Sequence, residues 1–79
     1  MSKKSIPESQ IRRINETRLF IKNWRVNENM TQRDFSKAAE IHVNTIQKLE
    51  AGNNITLLTL FACIDAMDMT IAEFFEDVE

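Results

Sequence analysis

Few side chains in this sequence are suited to making or breaking bonds. Its 79 residues include one cysteine, Cys63, and one histidine, His42, so no disulfide can close within the chain and no set of metal ligands can be assembled. No nucleophile stands with a base in a pattern that would activate it, and a chain this short has no room for a cavity between two lobes. These features argue against an enzyme and against a bound metal, cofactor or small-molecule substrate. What the sequence offers instead is hydrogen bonding. Asn44, Gln47 and Lys48 fall within one short stretch behind Val43. Each carboxamide donates and accepts in one plane, which suits it to match the edge of another planar polar group.

Those residues need a helix to bring them to one face, and the stretch from Thr31 to Gly52 supplies two short ones joined by a tight corner. Phe35, Ala38 and Ala39 stand at i, i+3 and i+4, the pattern of a helix whose alanines allow close approach to a neighbour. Val43, Ile46 and Leu49 repeat a three-residue step, which predicts a second helix from about Val43 to Ala51. Gly52, the only glycine in the chain, stands where a left-handed stop is needed. Glu40, Ile41 and His42 are too few to reverse the chain fully, so the second helix should cross the first steeply with Ile41 in the corner. Thr31 can cap the first helix with Asp34 as its capping-box partner, and His42 or Asn44 must cap the second.

Support is expected from both sides. Residues 1–6 have no period and read as a flexible basic arm, leaving residues 7–79 as one domain. Pro7 can occupy the first turn of a helix, with Ser5 or Ile6 before it and Glu8 just inside, and Ile11, Ile14, Ile21 and Trp24 recur at helical steps to about Asn27. Leu19, Phe20 and Val26 lie off that stripe, more apolar surface than one packed face requires. Met30 re-enters the core just before Thr31. Beyond Gly52, Asn53, Asn54 and Ile55 form a connection, and Thr56 caps a fourth helix. In it Leu57, Leu60, Phe61, Ile64 and Met67 make the strongest periodicity in the chain, with Cys63 and Leu58 to either side. Asp68 ends that helix. Thr70 caps a last one to about Glu76, with Ile71 and Phe74 predicted to face inward and Phe75 and Val78 left over. Scarce valine, absent tyrosine and single copies of Gly and Pro leave little material for strands.

The net charge of −2 conceals a division. Residues 1–27 carry net +5 and residues 28–79 carry net −7, so a basic amino-terminal part could track an anionic surface while the acidic end is held away from it. No apolar run approaches the length of a membrane span. With the lone cysteine, this predicts a soluble protein of a reducing cytoplasm.

In order and register, several features of the central stretch resemble the helix-turn-helix of the Cro and phage-repressor-like, Xre-type family of DNA-binding domains. They are Thr31-Gln32 at its opening, the Ala38-Ala39 pair, Ile41 at the corner, Ile46 with Leu49, and Glu50-Ala51-Gly52 at its close. The resemblance runs from about Ile14 to Phe75. It departs at Glu40, where the corner residue is usually glycine, and at Ile55, where proline often follows the closing glycine; a left-handed Glu40 costs about 1 kcal/mol. The resemblance implies an all-α, five-helix, lambda-repressor-like domain with an extended first helix. It implies a sequence-specific transcriptional regulator of double-stranded DNA, a repressor from a bacterium or phage. By position in the family pattern, Val43, Asn44, Gln47 and Lys48 face the major groove, where the carboxamides suit adenine N6 and N7 and Val43 a thymine methyl. Phosphate contacts fall to Gln32 and the amides at the start of its helix, helped by Arg33, His42, Thr45 and Asn53. Arg25 and Glu50 occupy the positions of a structural ion pair between the first helix and the recognition helix.

One recognition helix on a net-acidic body binds weakly, and a homodimer that reads an approximate palindrome solves this. Leu58, Ile71, Phe75 and Val78 are the apolar residues expected at the dimer contact. The alternative is a protein-interaction module such as an antitoxin, to which the surplus apolar face of the first helix would be suited. A restriction-modification controller protein stands between the two readings.

Overall fold

The computed structural model describes residues 6–78; the expected arm, apart from Ile6, and the terminal Glu79 lie outside them. Five helices follow in order: α1 (Glu8–Asn27), α2 (Gln32–Ala39), α3 (Val43–Glu50), α4 (Leu57–Ala66) and α5 (Ile71–Asp77). The described residues contain no strand.

Threonine starts three of these helices. Thr31 and Asp34 form a reciprocal capping box at α2, Thr70 and Glu73 form another at α5, and the Thr56 hydroxyl accepts from the Thr59 amide at α4. Each cap satisfies amides that the first helical turn would otherwise leave unpaired. At α3 the cap is His42, whose Nδ1 accepts from the Asn44 amide at 3.2 Å. Pro7 stands one place earlier than expected, as the extended residue before α1, where its carbonyl accepts from Gln10 and Ile11. Its fixed φ suits that position as well as the first turn.

Four helices stop by one device. Asn29, Glu40, Gly52 and Asp68 have positive φ of 58°, 58°, 95° and 57°, and the residue after each donates its amide five positions back, to Arg25, Ser36, Lys48 and Ile64. Met30, Ile41 and Met69, which follow three of these turns, fold onto the core, the apolar contact that accompanies such a stop. Asparagine and aspartate tolerate the left-handed region; glutamate does so at a cost. Replacing the exposed Glu40 with glycine therefore raises stability by about 1 kcal/mol, or roughly 4–8 °C in Tm, in a thermal melt.

The core is built from Ile21, Phe35, Ile46, Leu49, Cys63, Ile64, Met67 and Phe74, all buried, with Phe20, Trp24, Ile41, Leu60 and Val78 among those packed round it. Aromatic rings join α1 to the rest: Phe20 meets Phe74 edge-on at 5.2 Å, and Trp24 leans on Phe35 at 6.0 Å. Several inward assignments differ from expectation. Phe20 packs inward rather than lying idle, while Ile11 is exposed because the first turns of α1 reach past the body that would cover them. Ala38 faces solvent. In α4 the buried face runs through Leu60, Cys63, Ile64 and Met67, leaving Leu57 and Phe61 exposed, and Ile71 of α5 also points out.

Candidate nucleic-acid interface

The helices α2 and α3 are fixed to α1 through one carboxylate. Arg25 Nε donates to Glu50 Oε2 at 2.7 Å and Arg25 Nη2 to Oε1 at 3.0 Å, a two-pronged pair between α1 and the end of α3. A third donor comes from α2, where Gln32 Nε2 reaches Glu50 Oε1 at 2.9 Å. Arg25 also donates to the Met30 carbonyl, so one guanidinium ties together α1, the turn after it and α3. Burial alone would raise the Glu50 carboxyl, but the hydrogen bonds from Arg25 and Gln32, with the Arg25 charge, outweigh it and hold it below the usual glutamate value. The hydrogen bonds that Arg25 donates to the same carboxylate raise its guanidinium against its own desolvation. The pair expected from the sequence is therefore present, and both of its members are buried.

Arg18 adds a second strap. Its Nη1 donates to the Glu50 carbonyl at 3.0 Å and its Nε to Asn15 Oδ1 at 2.9 Å. The side chain lies across Gly52, where an added Cβ would stand 3.2 Å from Arg18 Nε. The φ of +95° favours glycine there, and any larger residue would also press on the crossing guanidinium.

Held in this way, α3 turns Ile46 and Leu49 into the core and presents Asn44, Gln47 and Lys48 to solvent, with Val43 and Thr45 half-buried at its first turns. None of the Asn44, Gln47 or Lys48 side chains makes a hydrogen bond among the described residues. The first turn of α2 presents the amides of Gln32 and Arg33, which have no acceptor among the described residues because Thr31 and Asp34 satisfy only each other. Arg33 is exposed. His42 is exposed at the α2–α3 corner, and since its Nδ1 accepts the Asn44 amide, the ring proton of the neutral imidazole sits on Nε2, facing outward. Asn53 is exposed in the loop that follows α3. Gln32 was expected to serve a phosphate alone; the structure gives it a second task, because one of its amide hydrogens is committed to Glu50.

The remaining sequence-predicted site residues lie elsewhere. Leu58, Ile71 and Phe75 are exposed on α4 and α5, at 80%, 51% and 45%, whereas Val78 is half-buried against the core. Cys63 belongs to the interior: burial and the Glu50 charge push its thiol up to about 12, which leaves it protonated and inert. No helix among the described residues is long and apolar enough to cross a membrane.

Sequence reasoning overlooked Arg18 and Lys22. Their signal is the spacing of Arg18, Lys22 and Arg25, which puts three positive charges at i, i+4 and i+7 on one face of α1.

The family profile described as helix-turn-helix matches residues 21–74. No match was found among curated protein sequences. Among solved structures, the fold is similar to that of the wild-type restriction-modification controller protein C.Esp1396I, with 22% identity over 84% of this chain and 86% of that one and a TM-score of 0.75. It is also similar to a tyrosine-to-phenylalanine mutant of that protein bound to its highest affinity operator site OM, with 22% identity over 84% and 88% of the two chains and a TM-score of 0.77. At that identity the structures speak for the fold, and the profile, which encloses both motif helices and the Arg25–Glu50 pair, speaks for the family. The chain belongs to the Xre-type helix-turn-helix family of DNA-binding transcriptional regulators.

Proposed function

We propose that this regulator is a cytoplasmic, non-enzymatic repressor that reads an approximately palindromic operator as a homodimer. The observation that carries the reading is the outer face of α3, where Asn44, Gln47 and Lys48 stand exposed and uncommitted on a helix anchored at its end by Glu50. In the major groove, Asn44 and Gln47 pair with adenine N6 and N7, Lys48 reaches guanine or a phosphate, and Val43 packs on a thymine methyl. The Gln32 and Arg33 amides, the Arg33, Thr45 and Asn53 side chains and the outward Nε2–H of His42 hold the backbone, fixing the depth and angle at which α3 enters. His42 can donate through Nε2 while its Nδ1 stays on the Asn44 amide. That a protein of the same fold has been solved on its operator supports this assignment.

Leu58, Ile71 and Phe75 form the proposed dimer contact, together with the half-buried Val78. To read a palindrome, a dimer joined there would have to present its two α3 helices to half-sites about 34–36 Å apart. An apolar contact of this kind removes side chains that are costly to leave in water on a small domain. The exposed Leu19 and Val26 of α1 favour, as a second reading, a protein partner such as a toxin. Selection of bound duplexes from a random pool tests the main reading. The expected result is enrichment of a two-fold symmetric sequence; a pool that stays random after several rounds would leave only the protein-partner reading.

A further inference from the structure

Arg18, Lys22 and Arg25 line one face of α1, and the structure shows why a helix tolerates three like charges there. Two of them are spent. Arg25 is bound to the Glu50 carboxylate and the Met30 carbonyl, and Arg18 to the Glu50 carbonyl and Asn15. Lys22 lies between them, exposed, with no hydrogen bond or ion pair among the described residues. On its own helix the positions three and four away are Arg18, Leu19, Arg25 and Val26, so no acid is within reach of the usual helical pairing. Its charge acts on Glu50, which is already held by three donors. Among the described residues the stripe therefore sets three positive charges against the single carboxylate of Glu50 and keeps an excess of positive charge, at a cost to the helix.

The position of this charge is as telling as its sign. Through Glu50 the stripe is joined to Gln32, whose backbone amide, with that of Arg33, opens towards solvent at the start of α2. It crosses the carboxyl-terminal end of α3, where Arg18 holds the Glu50 carbonyl and covers Gly52. With α3 in the major groove, the sugar-phosphate strand that borders the groove passes the start of α2, and the stripe stands beside it. We propose that Lys22 binds a DNA backbone phosphate next to the one held at the start of α2, which makes the first helix a third element of the interface; the inference rests on the DNA reading above.

The test is a fluorescence-anisotropy titration of the wild type, Lys22→Ala and Lys22→Arg on the selected operator and on an unrelated duplex, over a range of salt. One phosphate lost per half-site lowers the slope of log K against log salt by about 1.8 for the dimer. The expected result is that Lys22→Ala shows this loss on both duplexes, keeps the wild-type preference between them and melts with the wild type, while Lys22→Arg restores the slope. In a scan of neutral methylphosphonate substitutions, one position per half-site should weaken the wild type and leave Lys22→Ala unaffected. An unchanged slope for Lys22→Ala, or a scan with no such position, overturns the proposal while the operator preference of the wild type stands. A wild type that binds neither duplex overturns the DNA reading itself.

Discussion

Arg25→Ala lowers folding stability by about 3–5 kcal/mol, because it strands the Glu50 carboxylate in the interior. For a chain of this length the whole stability amounts to roughly 4–12 kcal/mol, so the loss removes between about a quarter and all of it. The loss exceeds the net worth of the pair. Two charges brought out of water gain little over a well-packed apolar couple, and replacing both partners, as in Arg25→Met with Glu50→Leu, costs less than removing one. Urea unfolding followed by the fluorescence of Trp24, which lies half-buried against Phe35, measures both variants. The same pair sets a pH dependence. The Glu50 carboxyl titrates below its ordinary value in the folded protein, so the unfolded chain takes up the proton first as pH falls. The contribution of Glu50 is thus complete above the ordinary glutamate range and is lost as pH falls through the depressed folded value. Glu50→Gln should flatten the acid limb of the stability profile. A steep limb retained in that variant would place the acid sensitivity elsewhere.

Phe74→Ala costs a further 3–5 kcal/mol of the same limited total. The ring has no exposed surface and is the only fully buried side chain of α5. It stands edge-on to Phe20 of α1 at 5.2 Å and to Phe75 at 5.1 Å. A seven-residue helix cannot persist alone, so the loss of this anchor frees α5 and, with it, the Ile71 and Phe75 surface assigned to the dimer contact. The expected result is a lower unfolding midpoint together with weaker self-association in analytical ultracentrifugation, and Phe74→Leu should recover much of both. A Phe74→Ala protein with wild-type stability would show that α5 is docked by something other than this ring.

Polar punctuation was the part of the fold most legible in the sequence. Thr31 with Asp34, Thr56, Thr70 and Gly52 each mark a helix end whose local chemistry decides the outcome before any packing occurs. Asp68 was expected to end α4, but its left-handed turn, like the one at Asn29, was not foreseen because neither residue is glycine, although an apolar residue follows each one, as at Glu40. Burial was harder to read where a helix is apolar nearly all round. From Leu57 to Ile64 only Thr59 is polar, so the stripe through Leu57 and Phe61 and the stripe through Leu60 and Cys63 fit a period of 3.6 equally well, and only the neighbouring helices choose between them. Ile11 failed for a different reason: a helix that outruns its domain keeps its period after its partner has ended. The Arg25–Glu50 pair was legible through family resemblance. The involvement of Gln32 and Arg18 in the same cluster depends on how three helices meet, which no spacing within one helix reveals.

The central claim is that the outer face of α3 reads bases, and Asn44→Ala tests it most directly. Asn44 is exposed and its side chain touches nothing that holds the fold, so the variant should melt with the wild type. Anisotropy titrations on the selected operator and on a scrambled duplex, at one salt concentration, compare the two proteins. The account predicts that the variant loses about 1–3 kcal/mol per half-site on the operator, and that both proteins bind the scrambled duplex equally. Equal affinity of both proteins for the operator, with no preference over the scrambled duplex, would contradict it.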